Sequence, residues 1–406
     1  VVFIGLIPSL IVIPAWLSFI LIISLILIFS KYELSIVLTI GALIFAILTQ
    51  IDLLASLYSI FTDLSIIFLA IAMMLIPILG GIMEESGLML ELVQKMNVSK
   101  KVSIMIVPAF FGLLPVAGGA LMSAPILEQI DTGLSVNKKV AINVWFRHIL
   151  ILIYPISSAT IVASLLTGIP LYILFIFLLP PFALMVLIGY YTLVRNIGSY
   201  EQRFDRDIKR VFHNILPIII APLVDFIGRT FFIQIVPEIF LFIGLCISLT
   251  LALVFSNMKF INIKNIARKM KIWRFPLLIF AMFWFLEIFI RSGVAQEIGN
   301  LNLSFILFIL IGFFLGFATG RIQVPLSILI PIYLVQYAIF PMPLVELIFL
   351  YCSIFLGYLI TPIHPCVAYS INYYKTNYKK VIKTLSFPAL LCFGILLIIY
   401  TITLAI

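Results

Sequence analysis

Charge-poor apolar stretches of about 20 residues recur along this chain, the length a helix needs to cross a hydrocarbon core about 30 Å thick. They cover 4–29, 34–50, 64–83, 140–165, 170–193, 213–235, 237–255, 274–290, 343–370 and 385–405. Lipid offers backbone amides no water to bond, so runs of this kind fold as helices. Composition leaves little room for a water-soluble alternative: 64% of residues are hydrophobic, 10% are charged, and the mean hydropathy is +1.30. The sequence therefore predicts an all-α membrane protein with ten crossings. The first run has no charge before Lys31. It lacks the basic start of a secretory signal and reads as helix 1. No lipidation signal stands out.

Two further apolar stretches are broken in their centres by Gly and Pro. Pro108 to Glu128 reads PAFFGLLPVAGGALMSAPILE, and Gly312 to Pro331 reads GFFLGFATGRIQVPLSILIP. Unwound backbone persists at membrane depth only where it lines a cavity or is covered by protein. Paired interruptions in corresponding places of two halves point to a transporter with its binding site at the breaks. Gly118-Gly119 and Thr319-Gly320 are the expected hairpin tips, since Gly permits a tight reversal and close approach of a ligand.

Basic residues fix the expected orientation, because Lys and Arg accumulate in cytoplasmic loops. With both termini outside, every Lys and Arg falls in a cytoplasmic loop except Arg147, Arg229, Arg291 and Arg321. The net charge of +9 is then mostly topology, and nucleic acid is not an expected partner. The bilayer is, with unspecific attraction to anionic headgroups. Five crossings per half is odd, so the second half enters the membrane upside down relative to the first. The expected architecture is two inverted repeats of five transmembrane helices, 1–194 and 215–406, joined by a basic cytoplasmic linker at 195–214. Each repeat holds a re-entrant hairpin and a proline-broken helix, the breaks being Tyr154-Pro155-Ile156-Ser157-Ser158 and Thr361-Pro362-Ile363-His364-Pro365. The N-terminal ends of half-helices carry partial positive charge and free N–H groups that suit anions, while exposed carbonyl ends suit cations.

This plan resembles the ion-transporter superfamily, which includes dicarboxylate:sodium symporters, gluconate, citrate and arsenite permeases and some sodium/proton antiporters. The run LLPVAGGALMSAP most resembles an uncharacterised family of prokaryotic integral membrane proteins. The resemblance implies a homodimer in which a transport domain of hairpins and broken helices moves against a scaffold. It places substrate contacts at Gly118, Gly119 and Ser123, at Ser157 and Ser158, at Thr319 and Gly320, and at Thr361 and His364. Sodium-coupled dicarboxylate carriers have a Ser-Asn-Thr triplet at each tip. This chain has Ala117-Gly118-Gly119 and Ala318-Thr319-Gly320 instead, which leaves the coupling ion open.

Charges inside spans cost at least about 2.5 kcal/mol each on insertion scales, so each asks for a reason. Arg321, beside the second tip, offers a fixed fork of donors to an anionic substrate, with Gln323 two residues on. Arg147 and His148, with Asn143 one turn earlier, offer a matching inner contact; snorkelling explains either arginine as well. Asp225 and Arg229 lie four apart on one helix face, which fits a structural ion pair or an ion-coupling carboxylate. Glu287 and Arg291 repeat that spacing nearer a helix end. His364 between two prolines fits a pH-responsive gate or a helix-end hydrogen bond. Cys246, Cys352, Cys366 and Cys392 show no paired spacing, so neither a metal site nor a cofactor is expected. Neither a Walker A loop nor H-E-x-x-H is present. The expected function is secondary transport of a small, anionic solute by elevator-type alternating access. Cation/proton exchange is the alternative, and a lipid-modifying enzyme the rival class.

Overall fold

A computed structural model describes residues 13–29, 32–96, 98–113, 119–130, 133–198, 207–258 and 260–405. Among these every regular element is helical. The chain begins with α1 (Ala15–Ile28), α2 (Leu34–Leu48), α3 (Leu53–Thr62), α4 (Leu64–Glu85) and α5 (Leu88–Lys95). A helical pair follows, α6 (Lys100–Leu113) and α7 (Gly119–Gln129), then α8 (Val136–Ile153), α9 (Ser158–Thr167) and α10 (Leu171–Gly189), which runs into a π-helical turn at Tyr190–Val194. The remainder holds α11 (Ile208–Phe231), α12 (Glu238–Ser256), α13 (Phe260–Met270), α14 (Arg274–Arg291) and α15 (Val294–Gly299). A second pair, α16 (Phe305–Thr319) and α17 (Gln323–Tyr337), leads to α18 (Leu344–Ile360), α19 (Pro365–Tyr373) and α20 (Tyr378–Ala405).

Seven helices among the described residues are long and apolar enough to cross a membrane, or eight if α13 and α14, bent by 44° at their junction, form one span. Ten were expected from the sequence. The difference lies mainly in α1 and α2, whose 14 and 15 described residues span roughly 21–23 Å at 1.5 Å per residue. The hairpin arms are longer than the sequence suggested, beginning at Lys100 and ending at Tyr337. The expected linker is helical in its last part, since α11 starts at Ile208, and 199–206 lie outside the described residues.

Local chemistry explains several boundaries. Asp52 and Asp63, oddly placed in an apolar stretch, cap α3 and α4: Asp52 accepts from the N–H groups of Leu54 and Ala55, and Asp63 from those of Ser65 and Ile66. The same device ends α4 and α14. Ser86-Gly87 and Ser292-Gly293 each put a glycine in the left-handed region, at φ 80° and 74°, and start a short helix. In both, the N–H of the next residue faces the serine Oγ, at 3.4 Å for Leu88 and 3.5 Å for Val294.

Packing follows a matching pattern. Helix α12 lies on α4 as α2 lies on α14, and α6 packs on α8 as α16 packs on α18. The second hairpin arms lie on the far halves of the broken helices, α7 on α19 and α17 on α9. Glycines allow the closest of these approaches. A Cβ on Gly112 of α6 would collide with the Arg147 carbonyl of α8, and one on Gly316 of α16 with the Ile354 carbonyl of α18.

Candidate functional site

Three of the helix interruptions meet at one cavity of about 330 Å³. Its wall takes Tyr154, Ile156, Ser157, Ser158 and Ala159 from the α8–α9 break, Gly320, Arg321, Ile322 and Gln323 from the α16–α17 turn, and His364, Pro365 and Cys366 from the α18–α19 break. Arg147, His148, Tyr358 and the end of α6 at Gly112 and Leu113 add to it. The remaining wall comes largely from α2, α4 and the α13–α14 junction, through Glu33, Leu34, Met73, Ile76, Met270, Arg274, Phe275, Leu278 and Ile279.

The helix breaks bring positive ends to this space. Ser158 and Ala159 are the first turn of α9, Gln323 starts α17, and Pro365 and Cys366 start α19. First-turn N–H groups have no partner within their helix and carry partial positive charge. Ser157 covers one of them, since its Oγ accepts from the Thr160 N–H at 3.3 Å. Gln323 Nε2 donates to Ser158 Oγ at 2.7 Å, tying the turn to the first break. At the turn itself Gly320 sits at φ 60°, and the Arg321 N–H donates to Thr319 Oγ1 at 3.3 Å.

Two full charges reinforce those partial ones. Arg147 is 2% exposed, and its Nε and Nη1 have no hydrogen-bond partner. Neither Arg147 nor Arg321 forms an ion pair among the described residues. Of the described residues on the wall, the single carboxylate is Glu33, and Arg274 holds it at 2.9 Å. A buried guanidinium without a counter-charge is costly in an apolar setting. The chemical capacity of the arrangement is to take an anion.

An imidazole pair adjoins the arginines. The rings of His148 and His364 lie 4.4 Å apart between centroids. His148 Nδ1 is 2.6 Å from the Val144 carbonyl, and His364 Nε2 is 3.0 Å from the Tyr358 hydroxyl. Together with Cys366 they bring three potential metal-ligating atoms within 4.8 Å of one another.

Of the residues singled out from the sequence, Arg147, Ser157, Ser158, Gly320, Arg321, Gln323 and His364 line this cavity. Gly118 lies outside the described residues, and Gly119 is described only as the start of α7. Others expected to touch solute are not on the wall. Ser123 Oγ donates to Asn143 Oδ1 at 2.7 Å, and Asn143 Nδ2 donates to Ser370 Oγ at 3.0 Å. Their polar atoms bond to one another because all three side chains are fully buried where α7, α8 and α19 meet. Thr319 Oγ1 turns back to the Leu315 carbonyl at 2.7 Å, and Thr361 ends α18, its Oγ1 facing the Ile363 N–H at 3.4 Å.

Asp225 is also away from the cavity. Fully buried, it accepts from Arg229 Nε at 2.9 Å and from the Tyr172 hydroxyl at 2.9 Å. Buried Glu238 lies 3.5 Å from the same guanidinium and accepts from Ser65 Oγ at 2.8 Å. Two carboxylates thus share one arginine. Glu287 and Arg291 form the ion pair their spacing suggested, at 2.6 Å and nearer the surface.

Sequence reasoning missed Tyr358 and Cys366 and the Glu33–Arg274 pair. Cys366 follows His364 by two positions in the same break, and that placement was the available signal. Glu33 and Arg274 meet only through packing of α2 on α14, which no local pattern reveals.

Comparison with known proteins gives one family: that described as protein of unknown function (DUF401) matches residues 13–404. No curated protein matches the chain.

Proposed function

The chain belongs to the DUF401 family, and from that premise we propose that this helical membrane protein is a secondary carrier for a small anion. The observation that carries the reading is a pair of guanidiniums, Arg147 and Arg321, on the wall of the cavity, neither of them in an ion pair among the described residues. Three helix N-termini point the same way. Binding energy would come from these N–H groups, from the Ser158 hydroxyl and Gln323 amide, and from the two arginines.

Alternating access by an elevator movement fits the cavity's two kinds of wall. One is built from hairpins and broken helices, and the other from α2, α4, α13 and α14. The exchange of packing partners between α1–α10 and α11–α20, and the twin Ser-Gly helix ends, support an inverted repeat divided near 195–214. The proposal includes a cell-membrane location with both termini outside, from the loop charges, and a homodimer, from the resemblance to elevator carriers.

Reconstitution in sealed vesicles tests the reading. Uptake of an anion should saturate and need an intact bilayer, and Arg321→Ala should lower apparent affinity at least tenfold. Unchanged uptake in Arg321→Ala refutes the contact. Turnover of a lipid in detergent would favour an enzyme instead.

A second reading, cation/proton exchange, draws on the Asp225–Arg229–Glu238 cluster. Two buried carboxylates beside one arginine supply the acidic side chains that such an exchange requires. A pH gradient dissipated by added sodium, with no organic solute, would support that reading.

A further inference from the structure

We propose that His148, His364 and Cys366 form a binding site for a zinc-class metal ion, open on one side to the cavity. The site draws on two helices: His148 on α8, and His364 at the cap and Cys366 in the first turn of α19. Their ligand atoms lie within 4.8 Å of one another. A tetrahedron with Zn–N and Zn–S bonds of about 2.1 and 2.3 Å has edges of about 3.4–3.8 Å. Side-chain rotations of about 1 Å close that gap.

The outer contacts already select the right atoms. The Nδ1–H of His148 is directed to the Val144 carbonyl at 2.6 Å, which leaves Nε2 as the lone-pair nitrogen. His364 has the complementary arrangement: Nε2 meets the Tyr358 hydroxyl at 3.0 Å, while Nδ1 is buried with no hydrogen-bond partner. A buried nitrogen left orphaned beside a second imidazole and a thiol is the independent mark of a missing ligand. Imidazole and thiolate together suit zinc-class ions rather than calcium or magnesium.

Arg147 and Arg321 oppose a bare dication here. Two features offset them. Binding releases the Cys366 proton, so the site supplies a thiolate. Three protein ligands leave a fourth position open, and an anion or hydroxide there faces the guanidiniums. The inference does not rest on the transport reading, since the metal can be tested alone.

Equilibrium dialysis of the purified full chain against Zn2+ should give one ion per chain, and Co2+ should give the thiolate charge-transfer and intense d–d bands of a tetrahedral site. His148→Gln and His364→Gln should weaken Zn2+ at least tenfold, and Cys366→Ser should abolish the charge-transfer band. Cys246→Ser should keep it. In the unmodified chain, Zn2+ should protect Cys366 from iodoacetamide, read by peptide mass, which needs no variant to fold. Absence of stoichiometric Zn2+ binding overturns the proposal. So does equal alkylation of Cys366 with and without Zn2+, or binding unchanged in all three ligand variants.

Discussion

Arg147 concentrates the tension between stability and ligand binding. Its guanidinium is buried and in no ion pair among the described residues, while its carbonyl and Cγ lie against Gly112, whose missing Cβ makes room for them. Removing an uncompensated buried charge relieves a cost, so Arg147→Met should stabilise the ligand-free protein by about 1–4 kcal/mol. Thermal unfolding without anion checks this, and a lower midpoint would mean that the charge has a counter-ion after all. Gly112→Ala acts in the opposite sense. Its Cβ meets the Arg147 carbonyl, and overpacking of that kind costs about 1–3 kcal/mol. Gly320→Ala should cost about 1–2 kcal/mol through its left-handed backbone at φ 60°, measured by the same unfolding assay.

The helices and their breaks were legible in the sequence to different degrees. The tip expected at Gly118 lies outside the described residues, and Pro77, Pro108, Pro125 and Pro331 sit inside helices, but Pro155, Gly320 and Pro362 fall at breaks that the structure shows. That is why Arg147, Ser158, Arg321 and His364, distant in sequence, share a wall. Ser123 and Thr319 were expected there from the resemblance, and Asn143 from its place one turn before Arg147; Ser123 bonds Asn143, and Thr319 bonds the Leu315 carbonyl. Hydropathy also missed the short helices α3, α5 and α15, which are too brief to raise an apolar signal yet are fixed by capping Asp52 and by Gly87 and Gly293. Asp225 illustrates a different limit. Its i,i+4 partner was visible, but Tyr172 reaches it from α10, and Glu238 of α12 reaches the same Arg229. If this cluster carries the coupling proton, Asp225→Asn should leave anion affinity unchanged and make uptake insensitive to an imposed pH gradient. Gradient-driven uptake at the normal rate would make Asp225 structural.

Taken as a whole, the described residues form an all-helical molecule around a cavity whose described wall carries positive full charges apart from one ion pair. The proposed orientation puts Lys95, Lys101 and Arg195 in the cytoplasm and Gln50 and Asn300 outside. Single cysteines at these positions, labelled from outside in intact cells, should react only at Gln50 and Asn300; the reverse pattern would invert the topology. The account depends most on the cavity's appetite for anions. A panel of carboxylates, sugar acids and inorganic oxyanions should contain at least one that stabilises the purified protein, by about 2.7 kcal/mol at a hundred times its Kd. That stabilisation should vanish in the Arg147→Met, Arg321→Gln double variant. An equal shift in both proteins, or no shift from any anion in the panel, would contradict it.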